Sequence, residues 1–441
     1  MTQGTTISLL GQRRLSSARD IFGPPGSLAP PAAGAGGTLP APHEPVRSLY
    51  IHVPFCFHKC HYCDFYSIVD TRDRQEAFLG RLLDELRAIA PLSHGAPLRT
   101  IFVGGGTPSL LRPVLWQRLL GALGELFDMT LLRPNARGGG EFTVECNPET
   151  VTPELMDVLF AGGVSRVSIG AQSFNERHLK TLERWHDPAN VAKAIEMARD
   201  AGIARQSLDL IYAIPGQTLA EWEADLDRAI ALGTEHASCY ALTYEPQTAM
   251  TARMERGDFQ PAPNDLEAQM FSRTVERLSQ AGLHRYEVSN FARRDRDGSS
   301  AVCQHNLAYW RQEQWLAAGP AAAAHVRGHR WKNVPRLDDY LRFSDNGWPP
   351  ITDHEPPDAR RAFSERIMTG LRLEEGLDLS DTLARAASVS ASLPPKLVDV
   401  AASLRARGLM GTNERWALTD EGFLVANSVI LEFFERIDER E

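Results

Sequence analysis

Between residues 46 and 290 the chain alternates two hydrophobic rhythms. Short apolar runs of strand length fall at Leu49–Val53, Thr100–Val103, Phe142–Glu145, Val167–Ile169, Ser207–Ile211 and Ala237–Leu242. Between them apolar residues recur every three or four positions, which predicts helices over Gln75–Ala90, Val114–Phe127, Pro153–Ala161, Ala189–Ala201, Ala220–Leu232 and Asp265–Ala281. The punctuation agrees. Thr152 before Pro153, and Thr218 before the run LAEW, offer hydroxyls as N-caps, while Gly162, Gly202, Gly233 and Gly282 follow helix ends. Alternation on this scale builds a parallel sheet with right-handed crossovers. Periodicity alone does not separate an open sheet from a barrel.

The flanks read differently. From Gly23 to Pro45 the chain is rich in Pro, Gly and Ala, with too few large apolar residues to offset ordering entropy, so 1–45 is expected to be a disordered lead-in. Residues 291–355 read as a connecting segment. In 356–441 the expectation is a helix at Lys396–Arg407, a hairpin in LMGTNERWALT and a second helix at Phe423–Arg436, a small α+β domain resembling a winged helix. A winged helix suggests DNA. Charge argues against it, because Thr419 to Glu441 holds seven acidic and two basic residues and the whole chain carries a formal −9. A packing or partner module without nucleic acid is expected instead.

Composition is that of an ordinary globular protein, 43% hydrophobic and 23% charged. No apolar run approaches the roughly 18 residues that span a bilayer, and the first residues lack a secretory pattern, so a cytoplasmic protein is expected. Six cysteines are present, three of them within eight residues, which suits a reducing compartment and a metal site better than a disulfide scaffold.

Those three carry the strongest signal. In SLYIHVPFCFHKCHYCDFYS, Cys56, Cys60 and Cys63 form a C-x3-C-x2-C loop directly after the first strand. Three thiolates can hold three corners of an iron–sulfur cube and leave one iron open. Spacing also permits a structural zinc ion, closed by His52, His58 or His61. Downstream, Gly104-Gly105-Gly106-Thr107-Pro108 follows the second strand, where glycines let backbone approach a ligand closely. Glu145, Gln172 and Asp209 are polar residues embedded in apolar strand ends, each equally compatible with a hydrogen-bonded core or a ligand contact. The segment Cys303–Trp310 contains H-N-x-x-Y-W, in which His305 is either a haem ligand or half of a buried His–Asn pair.

The cysteine motif, its YIHVPFC lead and the following D-F-Y resemble the radical S-adenosylmethionine superfamily. Within it they resemble the oxygen-independent coproporphyrinogen III oxidases and their haem-chaperone relatives. The resemblance runs from Tyr50 to about Phe434. It implies an α/β fold, a partial parallel β/α barrel, with a [4Fe–4S] cluster on Cys56, Cys60 and Cys63 and S-adenosylmethionine on its open iron. It further implies cofactor contacts from Tyr50, Tyr62, Gly105, Gly106, Thr107, Glu145, Gln172, Arg184 and Asp209. Haem contacts would come from His305, Tyr309 and Trp310. Two features separate the relatives. The oxidases carry a further cysteine where this chain has Phe65, and they have a folded N-terminal extension where this chain is low in complexity. Both favour the chaperone, with haem as cargo and acceptor haemoproteins, an electron donor such as a flavodoxin or ferredoxin, and membrane contact through acceptors as its implied partners. The alternative is oxidative decarboxylation of coproporphyrinogen III. One departure concerns Gly319–His325, where the family's G-x-G-A-H pattern is displaced, leaving His325 without an assigned role.

Overall fold

A computed structural model describes residues 17–22, 45–132, 139–294, 300–412 and 414–439. The strand–helix alternation becomes six parallel strands: β1 Ser48–Val53, β2 Thr100–Gly105, β3 Glu141–Cys146, β4 Arg166–Gln172, β5 Arg205–Tyr212 and β6 His236–Ala241. The intervening helices, Gln75–Ile89, Pro113–Leu126, Pro153–Ala161, Ala189–Asp200, Leu219–Ala231 and Asn264–Gln280, lie within a residue of their expected bounds. The caps act as the spacing suggested. Thr152 accepts from the Leu155 amide, and Thr218 forms a reciprocal capping box with Glu221.

Three further strands complete the sheet: β7 Leu283–Arg285, β8 Asn290–Arg293 and β9 Leu316–Ala318. Among the described residues the order is β9-β1-β2-β3-β4-β5-β6-β8-β7, with β7 and β8 antiparallel and the two edges unpaired, so the barrel is open. The expected boundary at residue 290 therefore cuts through the sheet. Strand β9 adds in parallel to β1, pairing Leu49 with Leu316 and Ile51 with Ala318. Three-residue strands this short carry too little pattern to be read from sequence.

Strand alternation divides the sheet into two faces. Leu49, Ile51, Ile101, Val103, Phe142, Val144, Val167, Ile169 and Leu208 pack outward against the helices in one core with Trp116 and Trp222. Each such fully buried side chain contributes roughly 2–3 kcal/mol. The inward face is polar: Tyr50 and His52 on β1, Thr100 on β2, Glu141 and Glu145 on β3, Arg166 and Ser168 on β4, Asp209 on β5 and His236 on β6. A polar lumen is costly unless each group is paired, which places these residues in networks.

The lead-in expectation needs one correction. Ser17 bridges to Pro350, and the single helical turn Arg19–Phe22 buries Phe22 against Trp331 and Trp348. This aromatic anchor, with Ser17 and Arg19 both bonded to Asp345 at 2.9 Å, ties these six residues to the fold; residues 23–44 lie outside the described residues. At the other end, helix Leu393–Ala406 matches expectation, and the hairpin is held by the Met410–Leu418 bridge. The last helix is broken in two, Asp420–Leu424 and Ala426–Asp438, at Val425. This domain has its own core, around Phe363, Leu397, Trp416 and Phe433.

Candidate functional site

The cysteine loop leaves β1 at Pro54 and is closed by a parallel pairing of Phe55–Cys56 with Ile68–Val69. Its tip is pinned to neighbouring elements. The His61 amide donates to Leu182 O at 3.3 Å, and the Met250 amide donates to His61 O at 2.9 Å. Underneath, His52 Nε2 donates to Tyr66 O at 2.8 Å while its Nδ1 accepts from the Tyr50 hydroxyl at 3.1 Å. Burial pushes the His52 pKa down to about 4, so the ring is neutral and fully engaged. It is a brace, not a ligand. His61 is hydrogen-bonded to Arg253, and His58 stacks on Trp185 with ring centroids 4.4 Å apart.

The thiols lie in a polar setting. Thr107 donates its hydroxyl to Cys56 Sγ at 3.5 Å, and Arg184 Nη1 donates to Cys60 Sγ at 3.8 Å. Burial raises the Cys56 thiol, and pushes Cys63 to about 11. Among the described residues no three His, Cys, Asp or Glu side chains converge closely enough to hold one metal ion. Instead Cys56, Cys60 and Cys63 all border one cavity of about 1110 Å³. Three thiols bordering one open cavity fit a cluster that leaves one iron exposed to a ligand, and His58 borders the same cavity.

The glycine turn seals this loop from below. Gly106 and Thr107 donate their amides to Val53 O and Phe55 O at 2.8 and 2.7 Å. A side chain on Gly106 would meet Phe55 O at 2.7 Å. Gly105 has φ +109°, and a Cβ there would fall 2.5 Å from the His52 ring. Glycine is required here for both reasons. The Gly105 amide donates to Glu145 Oε2 at 3.0 Å, which links turn to carboxylate.

Glu145 and Asp209 share the cavity floor. Burial, reinforced by the Asp209 charge, pushes Glu145 up to about 7; burial also raises Asp209, which accepts from Ser168 Oγ at 3.1 Å. Gln172 stands at a bulge in β4 with φ +63°. Arg184 donates to Gly170 O at 3.0 Å and leaves its Nε buried without a partner. Two carboxylates opposite one incompletely paired arginine suit a ligand with cationic and anionic ends. Tyr62 lines the same wall over a small apolar cluster with Leu182, Ile211 and Met250. The cavity continues to Phe271 on the barrel and to Arg372, Phe423 and Leu424 of the C-terminal domain. Those four were not singled out from sequence, and no motif marks them. Cys146 packs in the main core and also borders the cavity.

Four expected residues lie elsewhere. Tyr50 is inside the lumen beneath the cavity, stacked on Phe102 and not in the cavity wall. His305, Tyr309 and Trp310 are on helix Gln304–Trp310, at the opposite end of the barrel. Glu141, at the start of β3, accepts from the Cys303 thiol at 3.2 Å and from the Gln304 and His305 amides at 3.1 and 3.3 Å. A carboxylate at a helix N-terminus is favourably placed. His305 Nδ1 bonds Thr100 Oγ1 at 2.8 Å and Nε2 bonds the Tyr309 hydroxyl at 3.0 Å; burial pushes its pKa down to about 3. Asn306 reaches Tyr286 and Glu287 at 3.4 and 3.3 Å. Neither nitrogen of His305 is free for iron, and the ring is paired with Thr100 and Tyr309, not with Asn306.

Residues 50–229 match the model of the radical SAM superfamily. The chain is 34% identical over 398 residues to "Heme chaperone HemW" of Mycobacterium tuberculosis, covering 89% of this chain and 96% of that one. It is 32% identical over 386 residues to the protein of the same name from Bacillus subtilis, covering 87% and 98%. Among solved structures it resembles coproporphyrinogen III oxidase of Escherichia coli, a radical SAM enzyme, with a TM-score of 0.74 and 23% identity over 89% of this chain and 90% of that one. At that identity the likeness establishes the fold alone.

Proposed function

The chain belongs to the HemW family of radical SAM proteins, and on that footing we propose that it is a haem chaperone, which binds haem and passes it to acceptor haemoproteins. The single observation that carries this is the match at 34% identity along almost the full length of a protein bearing that name. The oxidase is the second reading, and what favours it is the fold likeness together with a cavity large enough for a substrate beside the cysteine loop.

Radical SAM membership implies a [4Fe–4S] cluster and S-adenosylmethionine, and the residues at the mouth fit both. Cys56, Cys60 and Cys63 would hold the cluster. Arg184 would pair with the methionine carboxylate, Glu145 and the Gly105–Thr107 backbone would face the amino end, and Gln172, Asp209 and Tyr62 would flank the nucleoside. When bound, such a cluster supplies an electron to the sulfonium. The chain's own part is to orient both groups and to keep water from them under the C-terminal domain. His52, with Tyr50 beneath it, braces the loop. An electron donor of the flavodoxin or ferredoxin type and a cytoplasmic, reducing location accord with this chemistry; no helix among the described residues is long and apolar enough to cross a membrane.

The test is anaerobic reconstitution followed by two assays on the same preparation. Hemin uptake and transfer to an apo-haemoprotein, without decarboxylation, is the expected result. Enzymatic turnover of coproporphyrinogen III would replace this reading with the oxidase.

A further inference from the structure

The mouth cavity, at about 1110 Å³, exceeds the roughly 300–1,000 Å³ of ordinary small-molecule pockets. It has two chemically distinct parts. The polar part, around the cysteine loop, Glu145 and Arg184, is where the cluster and S-adenosylmethionine would sit. The other part lies where the barrel meets the C-terminal domain, and its wall is apolar. Phe271 and Val288 of the barrel line it and pack against the C-terminal core. The Arg285 guanidinium lies 3.9 Å from the Phe423 ring centroid and 5.7 Å from that of Phe271, which sets the two rings side by side. Leu424 and Val425 line the same part and stay exposed. Exposed apolar side chains around a concavity mark a ligand surface.

One cation is set into this apolar part. Arg372 follows helix Ala359–Gly370, and the bridge between Glu287 and Leu373 lays it beside Val288. Its Nη1 donates to Met368 O at 3.0 Å and its Nη2 to Asn427 Oδ1 at 2.7 Å. A guanidinium has five N–H donors, and both acceptors here are neutral. Arg366, on the same helix as Met368, is the contrast, since it pairs with Asp381 at 2.7 Å. Among the described residues Arg372 has no carboxylate partner, and burial alone lowers its pKa. A half-buried guanidinium without a counter-charge suits the anionic edge of an otherwise apolar ligand. Asp265 and Glu267 border the cavity from helix Asn264–Gln280 and repel the same anion. Together these charges turn one edge of such a ligand toward the C-terminal domain.

We propose that Arg372 anchors a carboxylate of the tetrapyrrole cargo, whose flat apolar body lies against Phe271, Val288, Leu424 and Val425. The assignment rests on the haem-handling reading and places the cargo in the same cavity as the cofactor. It gives the C-terminal domain a part in recognition, because Arg372, Leu424 and Asn427 all belong to it. Arginine suits the task, since its planar fork meets a carboxylate through two parallel N–H donors.

The experiment is a hemin titration of the full-length, cluster-loaded protein, followed by Soret absorbance. It is repeated with hemin dimethyl ester, in which both carboxylates are masked. The wild type is expected to bind hemin about tenfold more tightly than the ester. Arg372→Gln should lose that preference, with hemin binding about tenfold weaker and ester binding unchanged. Asn427→Asp is the second variant, at an exposed position that tolerates the change. Its carboxylate stands where Asn427 Oδ1 accepts from Arg372, so it should give the same loss by neutralising the arginine in place. Both variants should keep the wild-type iron content. Equal affinity for hemin and ester in the wild type, or a preference that survives in both variants, overturns this anchor while leaving the chaperone reading intact. Parallel weakening for hemin and ester overturns it too, because that is loss of the pocket and not of a charge. A wild type that takes up no hemin overturns both.

Discussion

The two ends of this barrel are built from the same strands and used in opposite ways. At the C-terminal mouth polar groups are left partly unpaired: Arg184 has a buried Nε without a partner, and Glu145 is pushed to about 7 beside Asp209. Down the lumen toward the N-terminal end most polar groups pair with one another, with Arg166 Nε and Thr143 Oγ1 left over. Glu141 takes the amides of helix Gln304–Trp310, His305 joins Thr100 to Tyr309, and His236 Nε2 meets the Tyr286 hydroxyl at 3.0 Å. Buried polar groups that complete their own hydrogen bonds rigidify a structure, whereas those held incomplete are poised for a ligand. His305, Asn306 and Tyr309 of the HNxxYW box belong to the first kind, whereas Trp310 Nε1 is buried without a partner.

Four measurements break or sharpen that contrast, beginning with the largest effect. The Cys56→Ala/Cys60→Ala/Cys63→Ala variant should lose all iron and acid-labile sulfide after anaerobic reconstitution while keeping its far-UV circular dichroism; a full cluster in that variant would dismiss the mouth as the metal site. At the other end, His305→Ala should cost about 3 kcal/mol in denaturant unfolding, from a cavity and two lost hydrogen bonds, with iron content unchanged. If iron falls instead, the two ends are not independent. Arg184→Gln should weaken S-adenosylmethionine binding about tenfold by calorimetry, roughly 1.4 kcal/mol, with the cluster retained.

The smallest effect is on acid stability. His305 is held neutral down to about pH 3, whereas an unfolded chain protonates the same ring near 6.5. Below 6.5 the unfolded state binds more protons, so stability present above that pH is lost as pH falls toward 3. From pH 6.5 to 5.5 the loss is about 1 kcal/mol, and His305→Gln should flatten that part of the profile. An equally steep profile in the variant would assign the sensitivity to His52 or His236 instead.

Much of the chain was legible before any coordinates. Six strands and six helices follow from two periodicities, because a buried face must repeat every second residue in a strand and every third or fourth in a helix. The C-x3-C-x2-C spacing located the mouth, and Glu145, Gln172 and Asp209 stood out as polar residues at strand ends, whereas Arg184 came only from the family resemblance. Strand β9 did not, nor did the turn Arg19–Phe22, because three or four residues carry no period and are ordered by distant partners.

What the linear chain determined by itself is local: where strands and helices run, where glycine is compulsory, and which three sulfurs share a loop. The tertiary structure decided which polar groups have a use for one another. His305 and His325 look alike along the chain, one in HNLAYW and the other in AAAAHV. Only the distances to Thr100, Tyr309 and Glu313 distinguish the ring with both nitrogens occupied from the ring with one still open. Hydrogen bonding is short-ranged and directional: Tyr309 is a near neighbour of His305 in the chain, but Thr100 is 205 residues away, and that pairing leaves no trace in sequence spacing.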